Sequence, residues 1–379
     1  MTKIKIVHIL HSIGGVDVSL RLILENIDSS EFENIIIHGN SDTMNPFYDK
    51  SLNPIKEYKL PISREISIID DFISIVKAYR IIRKEKPNLI HAHSAKGGVI
   101  GRSIGTLTGI KVLYTPQAFS FLSTSNKIKR NVFLYIEKLF SKGNSLLLAS
   151  SMSELNRGLK EVGFNQNKVL LFNNAIEPIK EISKLSIEKT WPDNYICTVG
   201  RPSYQKNIEM MVRVLYEVKK VREIYLVIMG VGPVSGQLES VKKLIKELDL
   251  SENITLLDWT TRKDVHSIIS KSQLYISTAR YEGLPYSVIE SLALAIPCVV
   301  SNCDGNRDLI IDDYNGYVIK EDHDIIDFSN KIINLLKNKN VFDKFSANAK
   351  KTFEQHFNIL EKIKDLESIY SAQKNKFYN

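Results

Sequence analysis

Apolar residues gather in short β-branched runs, and the stretches between them carry apolar positions every three or four residues. The runs are "IKIVHIL" (4–10), "NIIIHG" (34–39), "NLIHAH" (88–93), "KVLYT" (111–115), "LLLAS" (146–150) and "KVLLF" (168–172). The series then restarts with "YICTVG" (195–200), "YLVIMG" (225–230), "NITLLD" (253–258), "QLYIS" (273–277), "PCVVS" (297–301) and "GYVI" (316–319). Continuous rather than alternating apolarity predicts strands buried on both faces, as in parallel sheets, with the amphipathic spacers as covering helices. Two such series predict an α/β protein of two doubly wound parallel-sheet domains. The expected boundaries are 1–180 and 190–360, with 361–379 a helical tail packing back toward the first domain. The polar stretch "NAIEPIKEISKLSIEKTWPDN" (174–194) reads as the linker.

Composition agrees with that division. A chain of 379 residues is long enough for two cores of ordinary size. With 43% hydrophobic and 25% charged residues it has the balance of a globular protein. No apolar run approaches the roughly 18 residues that span a bilayer. The opening "MTKIKIVHILHSIGG" alternates apolar with polar residues and ends in Gly-Gly, so it reads as a first strand rather than an export signal. Cys197, Cys298 and Cys303 lack metal-ligand spacing, and an odd number without an export signal predicts reduced thiols in a cytoplasmic protein. The net charge of +8 is unevenly placed: residues 1–180 hold 24 Lys and Arg against 16 Asp and Glu, and the remainder balances. Within residues 87–142 there are eight basic residues and one acidic one, Glu137.

In doubly wound sheets, ligands bind beyond the carboxyl ends of the strands, so chemistry is expected in the strand-to-helix loops. After the first strand, Gly14 and Gly15 let a ligand approach helix N–H groups closely, or make an ordinary tight turn. In "RPSYQKN", Arg201 and Lys206 stand before a helix, where guanidinium, ammonium and helix dipole together form an anion site. In "YEGLPYSVIE", Glu282 lies at the mouth of a helix with Pro285 in its first turn, and Glu290 is about one and a half turns inside. Each carboxylate can accept paired hydroxyl hydrogen bonds from a sugar or ribose. Glu290 is the single carboxylate of an apolar run, so either a structural partner or a ligand must satisfy it. In "HAHSAKGGVIGR", His91 and His93 share one strand face, followed by Ser94 and Lys96. No further ligands follow at metal spacing, so His93 is either a satisfied core residue or a substrate contact.

Together these residues resemble the retaining glycosyltransferase family 4, the group 1 glycosyl transferases of GT-B fold. "YEGLPYSVIESLALAIPCVVSNCDGNRDLI" carries the E-x7-E signature at Glu282 and Glu290, and "VGRPSYQKN" carries the GR…K loop at Arg201 and Lys206. "IGGVD", "NNAIE" and "VIMGVGP" match further motifs, so the resemblance covers nearly the whole chain. It implies two Rossmann-like domains facing a central cleft, the first on the acceptor side and the second binding a nucleotide-sugar. By that resemblance Arg201 and Lys206 hold the diphosphate, Glu282 contacts the sugar hydroxyls and Glu290 binds the ribose. Gly14, Gly15, His93, Gln117, Gly283, Leu284 and Pro285 are the other expected substrate contacts. The implied activity is hexosyl transfer from a UDP-linked hexose or N-acetylhexosamine to a hydroxyl of a lipid-linked or polysaccharide acceptor. Bacterial capsule or lipopolysaccharide assembly is the implied setting. Anomeric configuration would be retained.

Cations placed before reaction can stabilise the leaving diphosphate, so no metal cofactor is expected, and no nucleic-acid partner. A literal D-x-D, "DHD" at 322–324, reads as a helix cap. Two positions depart from the family pattern. "YTPQAFSF" has Gln117 where the family often has His, and Gln cannot take a proton; Ala175 stands where Gly is common. The alternatives are a nucleotide-sugar 2-epimerase of the same fold and a catalytically idle nucleotide-sugar binder. An NAD-linked dehydrogenase is disfavoured because no G-x-G-x-x-G follows the first strand.

The basic half contains one more pattern. On a helical wheel of residues 127–142, Lys127, Arg130, Lys138 and Lys142 share a face opposite Ile128, Val132, Tyr135, Ile136, Leu139 and Phe140. The apolar face is expected to pack on the first sheet. The basic face, with aromatics of "AFSFL" (118–122) exposed nearby, would then hold the protein to anionic lipid on the inner face of the cytoplasmic membrane.

Overall fold

The computed structural model describes residues 3–63, 67–232, 235–321 and 324–374. The chain forms two compact units, one running to Glu177 and resuming at Ile359, the other Pro178–Asn358.

The first unit has seven strands: β1 (Ile4–Ile9), β2 (Phe32–Gly39), β3 (Lys56–Leu60), β4 (Leu89–His93), β5 (Val112–Thr115), β6 (Ser145–Ala149) and β7 (Val169–Leu171). They form one parallel sheet in the order β3-β2-β1-β4-β5-β6-β7. Its helices are α1 (Gly15–Asn26), α2 (Ile68–Glu85), α3 (Ser94–Thr108), α4 (Lys127–Ser141) and α5 (Met152–Arg157). The second unit pairs β8 (Tyr195–Val199), β9 (Tyr225–Met229), β10 (Ile254–Leu257), β11 (Tyr275–Ser277), β12 (Cys298–Ser301) and β13 (Gly316–Ile319) in the order β10-β9-β8-β11-β12-β13. Helices α6 (Ile208–Lys219), α7 (Leu238–Glu247), α8 (Arg262–Lys271), α9 (Tyr286–Ala293), α10 (Asn306–Leu309), α11 (Ile325–Lys337) and α12 (Lys339–His356) belong to it. Helix α13 (Ile359–Gln373) returns to the first unit.

Every predicted apolar run is a strand. The one missed, β3, reads "KEYKL" and pairs only with β2, so it is an edge strand with most side chains partly or fully exposed. Without two buried faces it needs no apolar run.

In both units the strand order reverses beside the first strand, between β1 and β4 and between β8 and β11. Such a reversal splays the following loops to opposite faces and opens a crevice at the strand ends. The first sheet is buried on both faces. Val7 and Ile9 of β1 enter one cluster with Ile35, Ile37, Ile90 and Ile100, whereas Ile6 faces Leu89, Leu113 and the α13 residues Ile363, Leu366 and Tyr370. The three cysteines are buried and unpaired. Burial pushes the Cys197 and Cys303 thiols up to about 12.

Two expectations for the basic stretch are corrected. Phe119 and Phe121 of "AFSFL" are core residues, stacked with ring centroids 5.3 Å apart, not exposed aromatics. The wheel's apolar face of α4 does not pack on the sheet. The helix instead buries Glu137 and Ser141, with Phe133 and Leu134 against the core. Of the D-x-D, Asp322 and His323 lie outside the described residues; the Asp324 carboxylate accepts the Asp327 N–H and caps α11.

Candidate functional site

The reversal in the second unit brings together the loops after β8 and β11, which carry the "RPSYQKN" and "TARYEGL" stretches. Hydrogen bonds join the two loops: the Arg280 N–H donates to the Gln205 carbonyl at 2.8 Å, and the Thr278 hydroxyl donates to the Asn207 carbonyl at 3.0 Å. Within this frame Lys206 Nζ stands 2.7 Å from Glu282 Oε1. Gln205 Nε2 donates to Glu282 Oε2 at 3.1 Å. Burial alone would draw the Lys206 pKa down, but the adjacent Glu282 carboxylate outweighs it and the net shift is upward. Lys206 is therefore a fixed cation. The Lys206 stem crosses Gly200, where a Cβ would come within 2.9 Å of it, so any larger residue there would displace the ammonium. Arg201 lies in the same loop, half-buried.

Helix α9 starts at Tyr286, with Pro285 as its N-cap rather than in its first turn. Gly283, Leu284 and Pro285 are buried. Gly305, in the loop after β12, braces them. It has φ +78°, and a Cβ there would lie 2.6 Å from the Gly283 carbonyl oxygen. Only glycine meets both conditions.

Glu290 is 6% exposed, and protein groups meet it. Arg262 Nε donates to Oε1 at 2.9 Å, and His266 Nε2 lies 3.3 Å from the same oxygen. Of the two alternatives left open for this carboxylate, a structural partner is present: α8 supplies two, both on Oε1. Neither was legible, since Arg262 and His266 are more than twenty residues away and their register against α9 is set by packing. At the carboxyl end of β10, Trp259 is 62% exposed and its Nε1 donates to the Gly230 carbonyl, presenting a flat aromatic face also missed in the sequence.

In the first unit, Gly14 caps α1 with φ +63° and, with Gly15, is exposed. The carboxylate of Asp17 lies in the first helical turn, accepts from Ser12 Oγ at 2.7 Å and is paired with Arg21 Nε at 2.9 Å. Beside it His11 Nδ1 is 2.6 Å from Asp42 Oδ1. Gln117 and Ala118 follow each other at φ +52° and +78°, and among the described residues the buried Gln117 Nε2 has no hydrogen-bond partner. Two consecutive left-handed residues and an orphaned donor mark a strained, unsatisfied loop of the kind found at ligand sites.

His93 is corrected to a core residue. It is 1% exposed on the α13 face of the sheet, with His8 and His91. The ring nitrogens of the three approach within 4.8 Å, close enough to share a metal ion. Donor accounting places protons instead. Thr115 Oγ1 donates to the Leu148 carbonyl, so it accepts from His91 Nε2–H, and His91 Nδ1 accepts from the Tyr370 hydroxyl at 2.8 Å. His8 Nε2–H donates to Asn34 Oδ1, and His8 Nδ1 accepts from His93 Nε2–H at 3.0 Å. Among the described residues one lone pair, on His93 Nδ1, is left without a partner, too few for a metal. Burial holds all three rings neutral, lowering the pKa of His8 to about 4 and those of His91 and His93 well below the ordinary value. Lys96 is held by Asp71 at 2.6 Å.

Known proteins align along this framework. Residues 13–179 match the family described as Glycosyltransferase Family 4, and residues 180–352 match Glycosyl transferases group 1. An Escherichia coli protein, UDP-Gal:alpha-D-GlcNAc-diphosphoundecaprenol alpha-1,3-galactosyltransferase, is 26% identical over 97% of each chain. The capsular polysaccharide biosynthesis glycosyltransferase CapM of Staphylococcus aureus is 22% identical over 83% of this chain and 84% of its own. Among solved structures, Anabaena HepE in complex with UDP-glucose superposes with a TM-score of 0.77 at 16% identity, covering 97% of this chain and 99% of that one. At that identity the likeness establishes the two-sheet fold.

Proposed function

The chain belongs to the group 1 glycosyl transferases, and from that premise we propose that it moves a hexose from a UDP-sugar to a hydroxyl of a lipid-linked acceptor in bacterial surface-glycan assembly. The observation that carries this reading is the Lys206–Glu282 pair at the strand reversal of the second unit, 2.7 Å apart. A diphosphate at this loop gives Lys206 a second anion, with Arg201 beside it in sequence. Glu282, relieved of part of its ion pair, then accepts sugar hydroxyls. Arg262 and His266 occupy Oε1 of Glu290, and among the described residues its Oε2 carries no hydrogen bond. That oxygen is the acceptor for a ribose hydroxyl.

Charge develops on the diphosphate as the sugar–phosphate bond breaks, and fixed cations stabilise that charge without reorganising. This chain's own residues suffice for that task, so transfer proceeds without a metal ion. The acceptor hydroxyl attacks the face that the diphosphate leaves, and configuration is retained.

A panel of nucleotide-sugars scored by thermal shift, followed by slow donor hydrolysis, tests the proposal. One UDP-hexose is expected to raise the melting temperature and to be hydrolysed, with or without EDTA. Lys206→Ala should lower turnover about 10²–10³-fold while UMP still binds. Glu290→Gln should weaken donor binding about ten- to a hundredfold, the loss of a hydrogen bond to a charged group. Indifference to every nucleotide-sugar would overturn the activity, and abolition by EDTA would overturn the metal-free mechanism.

A further inference from the structure

Helix α4 is turned inside out. Ile128, Val132, Tyr135 and Leu139, spaced i, i+4, i+7 and i+11, form one stripe, and they are 78%, 51%, 67% and 59% exposed. The helix is held to its unit from the opposite side. Arg102 Nη1 donates to Glu137 Oε2 at 2.8 Å, and the Tyr114 hydroxyl donates to Oε1 at 2.9 Å. The Arg102 guanidinium lies over the Tyr114 ring at 3.8 Å. Glu137 is 2% exposed and is the sole carboxylate of residues 87–142, so this stretch shows solvent no negative charge of its own.

Exposed lysines flank the stripe. On the wheel Lys127, Lys138 and Lys142 border one side and Lys129 the other. Among the described residues none of the four forms an ion pair with a carboxylate, whereas Arg130 is tied to Glu161 at 3.1 Å. Four large apolar side chains along three turns, rimmed by ammonium groups with no carboxylate partner among the described residues, are unusual on a surface that faces only water.

We propose that the exposed face of α4 is a membrane-docking surface: Ile128, Val132, Tyr135 and Leu139 enter the headgroup–acyl boundary of an anionic phospholipid bilayer, and Lys127, Lys129, Lys138 and Lys142 engage its phosphates. Charge complementarity selects this occupant. A second copy of the chain would bring four lysines against four lysines, while an anionic bilayer offers hydrocarbon to the stripe and negative charge to both borders. The proposal takes its purpose from the lipid-linked acceptor but draws its evidence from α4 alone.

The test uses the full chain with vesicles of pure phosphatidylcholine and of phosphatidylcholine mixed with phosphatidylglycerol. At low salt the protein should co-sediment at least tenfold more strongly with the anionic vesicles, and 0.5 M NaCl should weaken that binding. A Tyr135→Trp variant should shift its fluorescence to the blue on anionic vesicles. The triple variant Val132→Ser, Tyr135→Ser, Leu139→Ser should lose at least tenfold in partition while hydrolysing soluble donor normally. Equal binding to both vesicles, no binding at low salt, or anionic binding without the blue shift would overturn the proposal. So would self-association of the wild type that the triple variant abolishes. Since donor hydrolysis is read separately, failure of the proposed activity leaves this result interpretable.

Discussion

Helices α4 and α13 carry the same apolar spacing and meet opposite fates. In α13, Ile359, Ile363, Leu366 and Tyr370 recur at i, i+4, i+7 and i+11 and are all buried against the first sheet, the most exposed at 4%. In α4 the same spacing places Ile128, Val132, Tyr135 and Leu139 in solvent. Amphipathic periodicity marks which residues of a helix share a face, but not what lies across from that face. For α13 the facing surface is the sheet, with Ile6, Leu89 and Leu113 waiting to be covered. For α4 the sheet side is taken by Glu137, paired with Arg102 of α3, and burying the apolar stripe would turn Glu137 outward and leave Arg102 buried without its carboxylate.

Matched truncations sharpen this contrast. Leu366→Ala should cost about 2–5 kcal/mol, the range for removing a fully buried leucine, seen as a large fall in melting temperature. If Leu366→Ala melts like the wild type, α13 does not complete the first unit's core.

The polar groups beneath α13 provide a second, smaller effect. The folded pKa of His8 lies near 4, below the ordinary 6.5, so the unfolded chain takes up its proton first as pH falls. Stability is therefore full above about pH 6.5 and declines down to about pH 4, with His8 alone contributing a loss of about 3 kcal/mol. His91 and His93 act in the same direction. Melting curves between pH 7.5 and 5 should show the decline, and His8→Gln should make it shallower. A flat profile would mean that the folded and unfolded chains take up protons alike, and that burial does not lower the pKa of these rings.

Tyr370→Phe removes the donor to His91 Nδ1 and leaves a buried acceptor unpaired, which should cost about 1–3 kcal/mol. An unchanged melting temperature would argue against the proton placement described above. The smallest effect belongs to α4: Leu139→Ala should shift stability by no more than about 0.5 kcal/mol, as for an ordinary surface position. A loss as large as that of Leu366→Ala would show that the stripe is covered by protein.

Much of the architecture followed from local chemistry. Strands buried on both faces must be apolar throughout, so twelve of the thirteen were written in the chain, and edge strand β3 was not because one partner and open faces relax that demand. Lys206 and Glu282 lie in loops at the carboxyl ends of their strands, where a doubly wound sheet places its ligands, and they meet at 2.7 Å. What the tertiary structure alone decided was which polar atoms meet. Arg262 and His266 reach Glu290 only because α8 packs beside α9. His93 is a core residue only because β1 lies in register with β4 beneath α13. The α4 stripe is exposed because the opposite side of that helix holds the Arg102–Glu137 pair. Periodicity and composition report the preferences of neighbouring residues along the chain, whereas partners thirty or three hundred residues apart are chosen by the packing of whole elements.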